Sequence, residues 1–291
     1  MVNSISVKYL GVEKPKTFSC WNSLTRKDDN LFYSFSSVPM SSIENVKSPI
    51  DYSKAKPDLN GEIDNYRQFK NDCWLLSGVS ALANTTEGKK IIKSSVVNLK
   101  NLNKVVVIFK GVKQSITIPY DVFEAAKQSK NYVKGDDEII AIEIAAEYYK
   151  KQLVEKNIAN ENIGPNIVNG KNVIGGKYNP LSGGYSSDII YMLTGKSAKT
   201  IYTGNEKLNN QILNEIKEIK KAPDEHVVTC NFRKRKNGLY VNHAYAIKSL
   251  DDKFVILINP HDTSKEEKIP FDDFFSNLKS ITVLELKTRS R

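Results

Sequence analysis

The chain has 291 residues, of which 40% are apolar and 26% charged, with 15 Gly and 10 Pro. That is the composition of a soluble globular protein, not of a collagen-like or disordered chain. The formal net charge of +10 invites a nucleic-acid or membrane reading, but Arg supplies only six of the 43 basic residues. Arg is the side chain suited to bidentate phosphate and guanine contacts, and a Lys-dominated excess reads as a solvated surface. No apolar run approaches the ~20 residues of a membrane helix. Met1 to Lys8 lacks the charged-then-apolar pattern of a Sec-type signal peptide. Three cysteines, Cys20, Cys73 and Cys230, make no disulfide framework. Without C-x-x-C or H-E-x-x-H a structural zinc site is not expected, and without a glycine-rich phosphate loop neither is nucleotide.

Residues 1–60 are polar, Ser-rich and broken by Pro15, Pro39, Pro49 and Pro57. They read as an N-terminal extension or pro-segment-like arm. From Asp72 the pattern sharpens. Trp74 to Ala83 is a compact apolar stretch, a buried helix starting at Asp72 or Cys73. Val105 to Phe109 and Gln114 to Ile118 flank Gly111 as a hairpin. Glu138 to Lys151 carries Ile139, Ile142, Ala145, Ala146 and Tyr149 at helical spacing, an amphipathic helix. Gly164 to Gly184, rich in Gly and Asn, reads as loop.

The last third changes period. Val227, Val228, Cys230 and Phe232 begin a strand, and Asn237-Gly238 signals a type I′ hairpin turn. Leu239 to Ser249, Phe254 to Ile258 and Ile281 to Leu286 follow as strands. Helices first and an antiparallel sheet second make an α+β fold.

Three residues combine into a reactive arrangement. Cys73 lies at a helix start, where partial positive charge favours the thiolate. His243 lies on a strand, and Asn259 closes the next strand 16 residues on. Adjacent antiparallel strands can bring Asn259 against the imidazole and hold the ring toward Cys73. In such a Cys-His-Asn set, His accepts the thiol proton and Asn fixes its tautomer. Cys230 alternates with apolar residues and reads as core, and His226 as a surface residue. Arg233 to Lys236 is the one dense basic cluster and reads as a solvated turn, with no aromatic platform for nucleic acid.

The segment Gln68 to Leu76, containing Asp72-Cys73-Trp74, resembles the active-site cysteine segment of the calpain family within the papain-like cysteine peptidases. His243-Ala244-Tyr245 and Asn259-Pro260 resemble its His and Asn segments. Leu181 to Asp188, with Leu193-Thr194-Gly195, resembles its Leu-Ser-Gly-Gly piece, and Ile269 to Phe275 with the strand Ile281 to Leu286 its closing part. The likeness spans roughly residues 63 to 288. It implies a two-lobed papain-like fold: a helical lobe over about 61–180 and a β lobe over about 181–291. It also implies a role for each matched residue. Cys73 is the nucleophile, His243 the base and then acid, Asn259 the orienting residue, and Gln68 an oxyanion-hole donor beside the Cys73 N–H. Gly183, Gly184, Asn242 and Trp74 line the substrate cleft.

There are departures. Gln68 is five residues before Cys73 where the family usually has six. Asn71 replaces a Gly, and His261 replaces the Trp that shields the His-Asn bond. Calpain cores bind calcium through acidic loop residues, but only Asp64 and Asn65 lie near one expected position and the loop after His243 is short. No full calcium site can be traced, so no cofactor is expected, although the family resemblance keeps calcium open.

The expected function is thiol endopeptidase action on protein or peptide substrates, by a monomer that uses neither nucleic acid nor a membrane span. Two alternatives stay open: a papain-fold thiol enzyme such as an acyl transferase or deamidase, and an inactive scaffold that binds a partner. Lys-, Asn- and Ile-rich usage suggests an AT-rich bacterial genome. The expected location is the cytoplasm, or a host cell reached without a Sec-type signal peptide. The charge excess then becomes a bias toward acidic substrates.

Overall fold

The structure is a computed structural model that describes residues 58–59, 62–155, 167–168, 171–172, 181, 183–235 and 238–286. Residues 1–57, on which most of the extension reading falls, lie outside it. So does Asn237 of the expected turn.

In chain order the helices are α1 (Cys73–Ala83), α2 (Thr86–Ser95), α3 (Tyr120–Gln128), α4 (Asp137–Glu155), α5 (Ser186–Thr194), α6 (Glu206–Lys221) and α7 (Phe271–Asn277). The strands are β1 (Val96–Leu99), β2 (Lys104–Phe109), β3 (Gln114–Pro119), β4 (Ile167–Val168), β5 (Lys171–Asn172), β6 (Lys199–Tyr202), β7 (His226–Phe232), β8 (Ala244–Leu250), β9 (Phe254–Ile258), β10 (Glu266–Pro270) and β11 (Leu278–Glu285). Helices and antiparallel sheet together make the α+β fold.

The larger sheet has the order β10-β9-β8-β7-β11-β6, and every pair is antiparallel. Alternation along its strands dresses both faces. Val227, Ala246 and Leu284 join the core around α1, whereas Val228, Cys230, Tyr245, Ile247 and Val283 join a second core with α6 and α7. Helix α6 supplies Ile212, Ile216 and Ile219 to that second core. Their spacing of four and three makes one apolar stripe. Its start is capped by Asn205, whose Oδ1 accepts the Leu208 N–H at 2.9 Å.

Helix α1 is buried over its whole length save Ala83. It packs on α5 at Gly78, where a Cβ would come within 2.4 Å of Ile189 Cγ2. The hairpin around Gly111 is present as β2 and β3, with β1 added on its far edge.

Three expectations are corrected. Helix α4 is not amphipathic, because Asp137, Glu138, Glu143 and Lys150 are buried along with its apolar residues. The Gly164 to Gly184 stretch contains the two-residue pair β4 and β5. The strand expected from Leu239 begins only at Ala244. Asn242 takes a left-handed φ of 53°, which breaks the extended run, and Val241 bridges Phe232 in the parallel sense. His243 therefore lies immediately before a strand instead of sitting inside one.

Candidate active site

The register of the sheet places the second and third residues of the reactive set. Ala246 of β8 pairs Ile258 of β9, so the start of β8 and the end of β9 lie at one edge of the pair. There His243 Nε2 meets Asn259 Oδ1 at 2.8 Å. Both side chains are buried. Helix α1 packs against β7 and β8 and brings its first residue, Cys73, into side-chain hydrogen-bond contact with His243. The sequence separates these two residues by 170 positions. The docking of α1 on the sheet brings them together.

The hydrogen-bond chain fixes the tautomer. Asn259 Nδ2 donates to Glu267 Oε1 on β10 at 2.6 Å. A carboxylate only accepts, so the amide nitrogen must face Glu267 and the amide oxygen must face His243. The His261 backbone N–H also donates to that oxygen, at 3.0 Å. His243 Nε2 therefore carries a hydrogen, and Nδ1 is left to present a lone pair toward the thiol. Sequence reasoning missed Glu267, because no motif marks it. Its position shows only through register, where it pairs Leu257 two residues before Asn259.

Burial works to lower the His243 pKa. The Cys73 charge, the bonds to Cys73 and Asn259, and the Glu267 carboxylate outweigh burial and raise it above its ordinary value. Three rings enclose the imidazole. Tyr245 stands edge-on at 4.8 Å, Tyr240 at 5.8 Å, and His261 lies tilted across it at 4.2 Å. His261, which stands in the sequence where the resemblance has a Trp, thus packs against the His243 ring. Burial, and then the neighbouring His243, pull its pKa down to about 4.

Gln68 lies beside this edge, its backbone N–H donating to Pro260 O at 2.9 Å. Its side-chain amide points elsewhere, with Nε2 donating to Lys70 O at 2.5 Å and to Asp72 Oδ1 at 3.1 Å. Both amide hydrogens are thereby used within the protein.

The glycines expected in the cleft stand against the cysteine segment. Gly183 N–H donates to Asn71 O at 3.2 Å. A Cβ on Gly184 would sit 2.6 Å from the Trp74 ring. Trp74 is buried and its Nε1 donates to Leu181 O at 2.8 Å. The indole therefore supports the Gly183-Gly184 segment from beneath. Asn242 adjoins His243 in its left-handed conformation.

Cys230 packs in the second core, as expected, with its thiol pKa raised first by burial. His226 is corrected from surface to buried, its ring bonded through Nδ1 to Ala222 O at 2.8 Å. The basic cluster is not a bare turn: the Arg235 guanidinium lies 5.4 Å from the Tyr240 ring.

Asp136, near Asp64, turns both oxygens to backbone N–H groups, those of Asp64 at 2.6 Å and Ile139 at 2.7 Å. Among the described residues no three His, Cys, Asp or Glu side chains converge on a point that can hold a metal ion. Also among them, no helix is long and apolar enough to cross a membrane.

No curated protein matches this chain. The protein-family comparison does find a match: residues 62–265 fit the calpain family of cysteine proteases. That stretch starts before the Cys73 segment, runs through His243 and Asn259 into the loop after them, and covers well over half of the sequence. The chain therefore belongs to the calpain family of cysteine proteases.

Proposed function

We propose that the protein is a cysteine endopeptidase of two-lobed, papain-like build, acting through a Cys73-His243-Asn259 triad on protein or peptide substrates. The observation that carries this reading is the bond from His243 Nε2 to Asn259 Oδ1 at 2.8 Å, together with the contact of the same imidazole with Cys73. A thiol is a nucleophile only as thiolate. His243 Nδ1 takes the Cys73 proton, and Asn259 keeps the ring aimed while the imidazolium forms.

The thiolate adds to the scissile carbonyl carbon, and the carbonyl electrons move to oxygen. That oxyanion meets the backbone N–H of Cys73 at the start of α1. Gln68 adds its own amide only when one of its two hydrogens leaves Lys70 O or Asp72 Oδ1. His243 then protonates the leaving amine as the C–N bond breaks, giving a thioester. Water, deprotonated by His243, hydrolyses the thioester and releases the thiol. Gly183 and Gly184 form one cleft wall and Asn242 the other, because missing side chains let a peptide backbone approach.

The domain division belongs to the same proposal: an arm to about residue 60, then the protease core. The test compares wild-type protein with Cys73→Ala and His243→Ala on a proteome digest, scoring newly formed N-termini. Both variants should form none above background. Retained cleavage by either would sink the assignment. A mass shift in the candidate substrates without new termini would replace the peptidase with a transferase or deamidase.

A further inference from the structure

Asp72 occupies the N-cap of α1, yet its carboxyl makes no cap hydrogen bond to the helix. One oxygen, Oδ1, accepts from Gln68 Nε2 at 3.1 Å. The other, Oδ2, is fully buried and receives no N–H or O–H donor among the described residues. Glu143, on α4, is as deeply buried. Its Oε2 accepts the Val133 N–H at 2.8 Å. Its Oε1 likewise has no such donor among the described residues. Lys70 Nζ stays 3.6 Å from that oxygen and instead binds Glu147 Oε2 at 2.5 Å.

The two orphaned oxygens belong to side chains in hydrogen-bond contact with each other. Two carboxylates in contact and away from water cannot both be ionised. One proton between Glu143 Oε1 and Asp72 Oδ2 satisfies both. The electrostatics agree: burial first, then the neighbouring carboxyl, holds Glu143 well above the usual carboxylate range, and burial lifts Asp72 to about 6.

We propose that Glu143 is a positioning residue for Cys73, and that the proton it shares with Asp72 holds the Asp72 carboxyl away from the N-terminus of α1. The functional consequence rests on Cys73 being the nucleophile. A capping Asp places its negative charge on the first N–H groups of a helix. Here those groups supply the field that favours the Cys73 thiolate and the N–H for the oxyanion. With Glu143 and Gln68 holding Asp72, that field acts on the sulfur. When Glu143 cannot donate, Asp72 is released to cap α1, and its charge raises the thiol pKa.

The charged and titratable groups facing the pair are Tyr66 and Lys70 from the segment before α1, Cys73 from α1 and Glu147 from α4. Tyr132 and Lys134 face it from the segment before α4.

The experiment follows alkylation of Cys73 by iodoacetamide against pH on the full chain, with the site read by peptide mass spectrometry. In Glu143→Gln the amide accepts from Val133, donates to Asp72 and cannot ionise. It should keep the wild-type midpoint. Glu143→Leu should raise the midpoint by about one pH unit, about tenfold less thiolate at a fixed pH below it. Adding Asp72→Asn to Glu143→Leu should return the midpoint to the wild-type value, because the effect acts through the Asp72 charge. A merely structural Glu143 gives no such rescue. Equal rises in Glu143→Gln and Glu143→Leu, or a folded Glu143→Leu with an unshifted midpoint, would overturn the proposal.

Should Glu143→Leu fail to fold, the infrared difference between wild type and Glu143→Gln at pH 7 decides. It must contain the carbonyl stretch of a protonated carboxylic acid, and its absence overturns the shared proton. Neither readout needs a substrate, so both stand apart from whether Cys73→Ala abolishes cleavage.

Discussion

The imidazoles of His243 and His261 lie 4.2 Å apart, centre to centre, inclined at 37°. Ala246 pairs Ile258; His243 lies just before β8 and His261 in the turn just after β9, at the same end of that strand pair. Burial first, and then repulsion from a protonated His243 at that distance, keep His261 neutral and pull its pKa down to about 4. In the unfolded chain its imidazole binds a proton below about pH 6.5. The folded pKa is depressed, so His261 contributes stability above pH 6.5, and that contribution is lost as the pH falls toward 4. The full loss is on the order of 3 kcal/mol. His243 has the opposite sign, its raised pKa favouring the fold at low pH. The difference in unfolding free energy between His261→Phe and wild type isolates the first effect. It should move in favour of the variant by that amount between pH 6.5 and 4, measured by urea unfolding. His261→Ala, which uncovers the His243–Asn259 bond, should also lower kcat by about tenfold.

Glu267 acts at one remove from the thiol. Its carboxylate holds the Asn259 amide in the orientation that gives Oδ1 to His243, and its charge helps to raise the His243 pKa. Glu267→Gln removes the charge. The imidazolium should then be lost at a lower pH, and the alkaline limb of kcat/KM should shift toward acid. A glutamine can also turn its own N–H toward Asn259 and undo the amide orientation, so kcat should fall as well. An unshifted alkaline limb would remove Glu267 from the electrostatics of the site.

Gly184 has no room for a side chain on its Trp74 side, because a Cβ there meets the indole at 2.6 Å. Gly184→Ala must push the ring or the backbone. It should cost about 1–3 kcal/mol in stability and reduce cleavage further than stability alone explains, since Trp74 directly follows Cys73. Thermal unfolding together with kcat/KM checks both parts.

The exposed Arg233, Lys234 and Arg235 bring the surplus positive charge to the edge of the site, because Arg235 covers Tyr240 and Tyr240 touches both His243 and His261. Arg235→Glu should raise KM several-fold for acidic peptides and leave kcat unchanged. The difference should shrink as salt rises past about 0.15 M. Equal effects on acidic and neutral peptides would detach this cluster from substrate choice.

Local chemistry made part of this legible in the sequence. The apolar run after Asp72 announced α1, and the alternating residues from Val227 announced β7. Cys73, His243 and Asn259 stood in segments with their own signatures. What stayed hidden depends on partners distant in sequence. Glu143 looks like any helix-surface acid until α4 is buried against the cysteine loop. Glu267 sits in the run Glu266-Glu267-Lys268, which carries no motif. The left-handed Asn242 cannot be told from an ordinary strand residue, so Leu239 to Ser249 reads as one strand when it is a turn and then a strand. His226 looked exposed because no local pattern reveals that its ring turns to Ala222. The Gln68 spacing was visible, but the bonds that take both its amide hydrogens were not.

Strand β11 follows all the other strands in sequence, yet it lies between β7 and β6 in the sheet. Its Leu284 joins the core around α1, and its Ile281 and Val283 join the other. A chain emerging during synthesis therefore holds Cys73, His243 and Asn259 well before it can complete the sheet that presses them together. The strand that completes the sheet thus comes last: a chain cut short before Leu278 would keep Cys73, His243 and Asn259 but leave β7 and β6 without the strand between them.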